Sequence, residues 1–374
     1  MKHNMKISSI LPLVLSAAFI CSCDKNEYLP PDWNYDIPQT PLTAQTCIGA
    51  FYSNKNTPDW QSASGYTPIL NLVYDEDAET PENIPYQSTA DGILTRQCEY
   101  AAEAGIDFFI INWNNGDSER NLKDVYEIYY TENTHVKLAI NYNFSHLRLS
   151  SLTDSGEDFD RLVGEFRELY ESMFSKEWYY RLPSGRPVII FSGMKSDVYD
   201  YSLFIPAFRK AMEEFTEQLK QEDASIDGNV LNFYIMGENT ANWPAPQTNS
   251  SAARWLDANF TKKWFPAKVY ERWTCFYPFT DMAWQNWSSY CREWGCDFVP
   301  CIYPEYYTAE KATRSIERSI GNYTDFCNVA KRNIGSQNII LIDSWNDFTN
   351  DTALEPTVEY GETYIGITRS QLKL

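Results

Sequence analysis

The chain has 374 residues, 43% of them hydrophobic and 22% charged, a balance that excludes wholesale disorder. Its formal net charge of −20 repels phosphate backbones and no basic stripe offsets it, which argues against nucleic acid as a partner. Aromatic residues make up 16%, with 12 Trp and 26 Tyr, enough for a core and for flat rings that cover the C–H faces of sugars.

Lys2 and Lys6 precede an apolar run from Ile7 to Ile20 and then Cys21-Ser22-Cys23. A charged start, a short apolar stretch and a small residue before the cut define an export signal, too short for a comfortable membrane span. Because it ends in Cys, it resembles a bacterial lipoprotein signal. Residues 1–22 are expected to be the signal peptide and Cys23 the lipidated first residue. Residues 23–46, with Pro30, Pro31, Pro38 and Pro41, read as a semi-extended tether. Membrane contact is expected through the lipid alone, and Asp24 and Glu27 point to an outer-membrane lipoprotein facing the periplasm or the cell surface.

From residue 47 to 374, short apolar runs alternate with helical patterns. Cys47–Ser53, Asp107–Asn114, Val136–Asn143, Pro187–Gly193, Phe233–Asn239, Val269–Tyr277, Phe298–Glu305 and Ile339–Asp347 have the β-branched and aromatic character of strands covered on both faces. The sixth run is broken by Glu271 and Arg272. Between the runs, Leu94, Cys98, Ala101 and Ala102 mark a helix capped by Gly105. Phe159, Leu162, Val163, Phe166, Leu169 and Met173 keep one helical face. Phe204, Phe208, Met212, Phe215 and Leu219 do the same, as do Ala312, Ile316, Ile320, Tyr323 and Val329. Eight strand–helix pairs predict an α/β fold, a single (β/α)8 TIM barrel. A doubly wound open sheet is the alternative, but no Gly-x-Gly-x-x-Gly turn follows the first strand. The long first connection, about residues 54–89, carries Trp60, Tyr66, Tyr74, Asp75, Glu76, Asp77 and Tyr86 and reads as a cleft wall.

Beyond Cys21 and Cys23, seven cysteines remain without Cys-x-x-Cys spacing, so neither a disulfide framework nor a zinc site is indicated. Of three histidines, two lie in the body, and there is no Gly-x-Ser-x-Gly elbow. No metal and no cofactor is expected.

Barrel chemistry sits at the C-terminal strand ends. Here these give Trp113 and Asn114, Asn143, Glu238 and Asn239, Tyr277, Tyr303 and Glu305, and Asn346 and Asp347. Amides and carboxylates hydrogen-bond hydroxyls and rings stack on sugars, so the expected partner is a poly- or oligosaccharide. The candidate catalytic acids are Asp347, Glu305, Glu238 and Asp351. Glu305 follows Ile302-Tyr303-Pro304, a setting that raises a carboxyl pKa. The candidate substrate-binding residues are Tyr52, Trp60, Trp113, Asn114, Asn143, Asn239, Tyr277, Tyr303, Asn346 and Asn350.

The stretch Ile342-Asp343-Ser344-Trp345-Asn346-Asp347-Phe348-Thr349-Asn350-Asp351-Thr352-Ala353-Leu354-Glu355-Pro356 resembles the closing motif of the glycoside hydrolase family 99 and WbsX-like group. Weaker similarities are Gly49-Ala50-Phe51-Tyr52, Arg96-Gln97 with Ala101 to Asp107, and Tyr360-Gly361-Glu362-Thr363-Tyr364. The resemblance implies a retaining attack on α-mannosidic linkages within a chain. One motif Glu would assist the sugar's 2-hydroxyl, and the other would serve as acid/base at the leaving oxygen. The first corresponds to Asp347, one methylene shorter. The second corresponds to Asn350, which cannot exchange a proton, and Asp351 stands where the family has Gly. Glu355 and Pro356 read as structural. A glycoside hydrolase, with neighbouring glycan-uptake proteins as further partners, is therefore the expectation. A non-catalytic glycan-binding lipoprotein on a degenerate barrel is the alternative. The polysaccharide-assembly role attached to WbsX-like proteins fits an exported domain poorly, since nucleotide sugars are cytosolic.

Overall fold

The computed structural model describes residues 35–374 apart from 56, 75–79, 114–121, 125, 128–129, 131–134, 149–155, 193–196, 239–246, 254–275 and 308–315, and apart from the side chains of 197–200. The compact unit runs from Ile37 to Leu374. Ahead of the first strand, Ile37 is buried and the Thr40 N–H donates to Asn328 Oδ1 at 3.0 Å.

Eight strands close into a parallel barrel. They are β1 Cys47–Tyr52, β2 Phe108–Trp113, β3 Lys137–Asn143, β4 Val188–Ser192, β5 Tyr234–Glu238, β6 Ser250–Ala253, β7 Asp297–Ile302 and β8 Ile339–Ile342. Each pairs with the next in chain order, and β8 returns to β1. The described helices include α1 Ile93–Ala104, α2 Glu157–Leu169, α3 Asp197–Glu222, α4 Phe276–Glu293, α5 Ile320–Asn333 and α6 Thr363–Leu372. Gly105 ends α1 in the left-handed conformation at φ 81°, its N–H bonded to the carbonyls of Ala101 and Ala102, as the sequence predicts. Among the described residues, no helix is long and apolar enough to cross a membrane.

Two expectations are corrected. The sixth strand is Ser250–Ala253 and not Val269–Tyr277; Tyr277 lies on α4, buried against Phe276 and Phe326. All four β6 residues are buried, but Ser-Ser-Ala-Ala offers little hydrophobic signal. Pairing with β5 and β7 makes it a strand, and small side chains suit a crowded interior. The fifth helix starts at Ile320 behind the cap Ser319, whose hydroxyl accepts the Asn322 N–H at 3.1 Å. Ile316 instead bridges to Tyr306, and Ala312 lies outside the described residues.

Strand register fixes which side chains enter the barrel. Tyr52 bonds Gln97 on α1, Tyr142 packs on Phe166 of α2, Phe191 on Phe204 and Phe208 of α3, and Phe298 on Trp284 of α4. These residues face the helix layer, so their strand neighbours point inward. The register carries one interior set around the circle: Phe108 with Gly49, Asn112 with Asn141, Asn141 with Ile190, Asn143 with Ser192, Ile190 with Met236, Glu238 with Ala252, and Cys301 with Leu341. At the N-terminal end the interior is plugged. Phe108 stacks on Tyr180 at 4.0 Å, and a Cβ on Gly49 would come within 2.5 Å of the Phe108 ring. Only a glycine leaves room for that ring.

Candidate functional site

The open end of the same interior is polar. Asn112, Asn141, Asn143, Ser192 and Glu238 are the last inward-pointing residues of β2 to β5. Asn112 is solvent-exposed although it sits on a barrel strand, Asn143, Ser192 and Glu238 are half-buried, and Asn141 is buried. The Asn141 amide donates to Asn112 Oδ1 at 2.9 Å. This side of the mouth therefore offers amides, a hydroxyl and a carboxylate to a solvent-reachable space.

The other side is built from the connection after β1 and the loop after β8. The two are tied together by backbone bonds, Ala63 N–H to the Phe348 carbonyl at 3.0 Å, Ile69 N–H to that of Pro356 at 3.1 Å and Val358 N–H to that of Thr67 at 2.8 Å. Beneath them lies a buried polar network. Tyr86 donates its hydroxyl to Glu355 Oε2 at 2.7 Å, and Gln97 donates to Glu355 Oε1 at 3.0 Å. Gln97 also accepts the Tyr52 hydroxyl at 2.6 Å. Asn346 closes the network, bonding the Ser53 backbone through both ends of its amide and donating to the Tyr86 hydroxyl at 3.0 Å. Burial pushes the Glu355 carboxyl up to about 7.

Trp60 roofs this network. Its indole N–H donates to the Tyr86 carbonyl at 2.8 Å, and its ring stacks on Phe348 at 5.5 Å. Lys55 Nζ lies 5.2 Å from the ring centroid. Burial lowers the Lys55 pKa, while the charges of Asp347 and Glu355 pull it back. Asp347 itself is half-buried. Its Oδ2 accepts the Asn350 amide at 2.7 Å and its Oδ1 the Thr349 N–H at 3.0 Å. Asn350 thus holds Asp347 in place.

Glu305 and Asp351 form a separate, buried cluster around Arg318. The Glu305 side chain is 0% exposed and that of Arg318 2%. Glu305 Oε2 accepts from Arg318 Nε at 3.1 Å and from the Tyr66 hydroxyl at 2.9 Å. The same guanidinium donates to the carbonyls of Asp351 and Ala353, at 3.1 and 2.7 Å, and lies near the Tyr66, Tyr360 and Tyr364 rings. Burial raises the Glu305 pKa, and Tyr66 and Arg318 oppose the shift. Asp351, also fully buried, accepts the Ser62 hydroxyl at 2.8 Å and takes a positive φ of 52°.

The predicted residues thus divide. Asp347 and Glu238 are half-buried carboxylates, whereas Glu305 and Asp351 are enclosed. Asn143 is half-buried at the mouth, and Trp60 and Asn350 belong to the roof and its loop. Tyr52, Trp113, Tyr277, Tyr303 and Asn346 are buried; Tyr52 faces α1 and Tyr303 packs on Phe326 of α5. Asn114, Asn239 and Cys23 lie outside the described residues. Lys55, Gln97 and Arg318 were not singled out from the sequence as site residues. Each takes its meaning from partners distant in the chain, and no spacing rule reveals such partners. Among the described residues no group of three or more His, Cys, Asp or Glu is arranged to hold a metal.

No family model matches this sequence, and no curated protein does. Solved structures share its fold. One is a glycoside hydrolase-like protein, 16% identical, with a TM-score of 0.62 over 91% of this chain and 97% of that one. Another is the GH99 endo-alpha-mannosidase from Bacteroides thetaiotaomicron bound to bis-tris-propane, 12% identical, with a TM-score of 0.54 over 87% of this chain and 96% of that one. The chain thus has the TIM-barrel fold that these structures share.

Proposed function

We propose that this chain is a carbohydrate-active protein whose site is the C-terminal mouth of the barrel, and that it hydrolyses glycosidic bonds of a mannoside-type poly- or oligosaccharide. The observation that carries the reading is the inward polar row Asn112, Asn141, Asn143, Ser192 and Glu238, which opens to solvent. Shared architecture with an endo-alpha-mannosidase supports the substrate class. Glycoside hydrolysis generally needs one protonated and one ionised carboxyl group. Asp347, near Lys55, is one of the two. Glu238, at the inward end of β5, is the other carboxyl group of the proposed pair. Glu305 and Asp351 position the β8 loop through Arg318.

The test is turnover of α-mannan oligosaccharides followed by new reducing ends. Asp347→Asn and Glu238→Gln should each cut turnover by about 10²–10⁴-fold while calorimetric binding persists. Full activity in both variants would end the hydrolase reading. Asn350 favours a second reading, a glycan-binding protein without turnover, because its amide, bonded to Asp347, does not act as a general acid at neutral pH. Wild-type protein that binds glycans and releases no product from any of them would establish that one. Lipid anchoring at Cys23 in the outer membrane is part of the proposal. Radiolabelled palmitate should enter the wild type and be absent from Cys23→Ser.

A further inference from the structure

The end of α4 meets the start of β7 at the face of the barrel opposite the mouth. There the Cys296 N–H donates to the Cys291 carbonyl at 2.9 Å and the Gly295 N–H to the Arg292 carbonyl at 3.2 Å, with Gly295 at φ 70°. These two bonds define a Schellman ending, which brings the side chains of its first and last residues together. Here both are cysteines, and both are buried. Cys47, in contrast, bonds the Tyr180 hydroxyl. The two paired sulfurs differ in access. Cys296 lines a cavity of ≈ 710 Å³ together with Arg186, Arg292 and Asp297, whereas Cys291 is 0% exposed.

We propose that Cys291 and Cys296 are a disulfide-forming pair that closes on meeting a small-molecule or protein disulfide as oxidant. Two cysteines whose backbones are joined at 2.9 Å across one helix ending need little movement to reach bonding geometry. Cys296, reached through the cavity, gives up its proton and attacks one sulfur of the oxidant's disulfide, expelling the other as a thiolate. Cys291 then gives up its proton, attacks Cys296 Sγ in the mixed disulfide and expels the second thiolate. One S–S bond forms within the chain and one breaks in the oxidant. Two electrons pass to the oxidant, and its two thiolates take the two protons. The neighbouring Cys291 lowers the Cys296 pKa, which suits Cys296 to the first attack. The closed bond staples the α4–β7 turn and leaves the mouth untouched, so the inference stands apart from the glycan reading.

The experiment treats the purified chain with oxidised glutathione, alkylates the remaining thiols under denaturing conditions, and maps peptides without reduction. Before alkylation, the expected intact mass falls by about 2 Da relative to reduced protein. Two fewer thiols are alkylated, and one peptide pair is joined through Cys291 and Cys296. Cys291→Ala/Cys296→Ala should show neither change. The proposal is overturned if both cysteines are alkylated, if glutathione stays on Cys296, or if either is joined to another cysteine such as Cys275. A circular dichroism melt of the oxidised and reduced forms gives a second reading. A higher midpoint in the oxidised form agrees with a staple, and a lower one contradicts it.

Discussion

The two sides of the barrel mouth are built on opposite plans. On the side of β7, β8 and β1, polar groups are enclosed and bonded to one another: Glu305 to Arg318 and Tyr66, Glu355 to Tyr86 and Gln97, and Asn346 to Ser53. On the side of β2 to β5, Asn112, Asn143, Ser192 and Glu238 reach solvent. A buried carboxylate is stable only with its partners, so these enclosed groups behave as architecture, while Asp347 on the β8 loop is half-buried and reaches solvent. The open side has hydrogen-bonding capacity to offer a ligand. An acid at a strand end is thus an ambiguous sign; its burial and partners decide what it does.

The comparison breaks most severely at Arg318. Arg318→Met should destabilise the fold by about 3–5 kcal/mol, because it leaves Glu305 buried without its cation. Urea denaturation monitored by tryptophan fluorescence measures this, and a loss below about 1 kcal/mol would remove Arg318 as the brace.

Glu355 sharpens the comparison through pH. Its pKa rises from the ordinary 4.5 to about 7 on folding, so the folded state holds the proton more tightly than the unfolded chain. The resulting stabilisation is fully present below about pH 4.5 and is lost as pH rises through about 7, on the order of 3 kcal/mol in all. Glu355→Gln should flatten the decline in stability between those limits. Glu305, also raised by burial, acts in the same direction, so part of the slope remains. An unchanged slope in the variant would show that Glu355 is not the group titrating.

Smaller effects on stability belong to the open side. Asn143→Ala should shift the unfolding free energy by no more than about 0.5 kcal/mol, and Asn112→Ala by about 1 kcal/mol because it removes the acceptor of the buried Asn141 amide. Thermal melts check this, and a large loss in either would place these amides in the architecture too.

The barrel was legible because fully covered strands alternate with one-sided helices, and seven of the eight strands fall on their predicted runs. The eighth escaped because Ser250-Ser251-Ala252-Ala253 owes its strand state to neighbours rather than to hydrophobicity. Glu238 was legible as the inward end of β5. Glu305 was legible only in part: the apolar run before it implies its burial, but Arg318, which occupies its carboxylate, is visible only once the chain is folded. Trp113 and Tyr303 looked like sugar platforms from their positions at strand ends. Both are buried, and Tyr303 packs on the ring of Phe326.

The most direct test of the open mouth as the glycan site is calorimetric titration of α-mannan oligosaccharides into wild type and Asn112→Ala/Asn143→Ala. Loss of the two amides should weaken binding by roughly tenfold or more while the melting midpoint falls by no more than about 4 °C. Equal affinity in the two proteins would contradict the assignment of the β2–β5 side as the surface that meets the sugar.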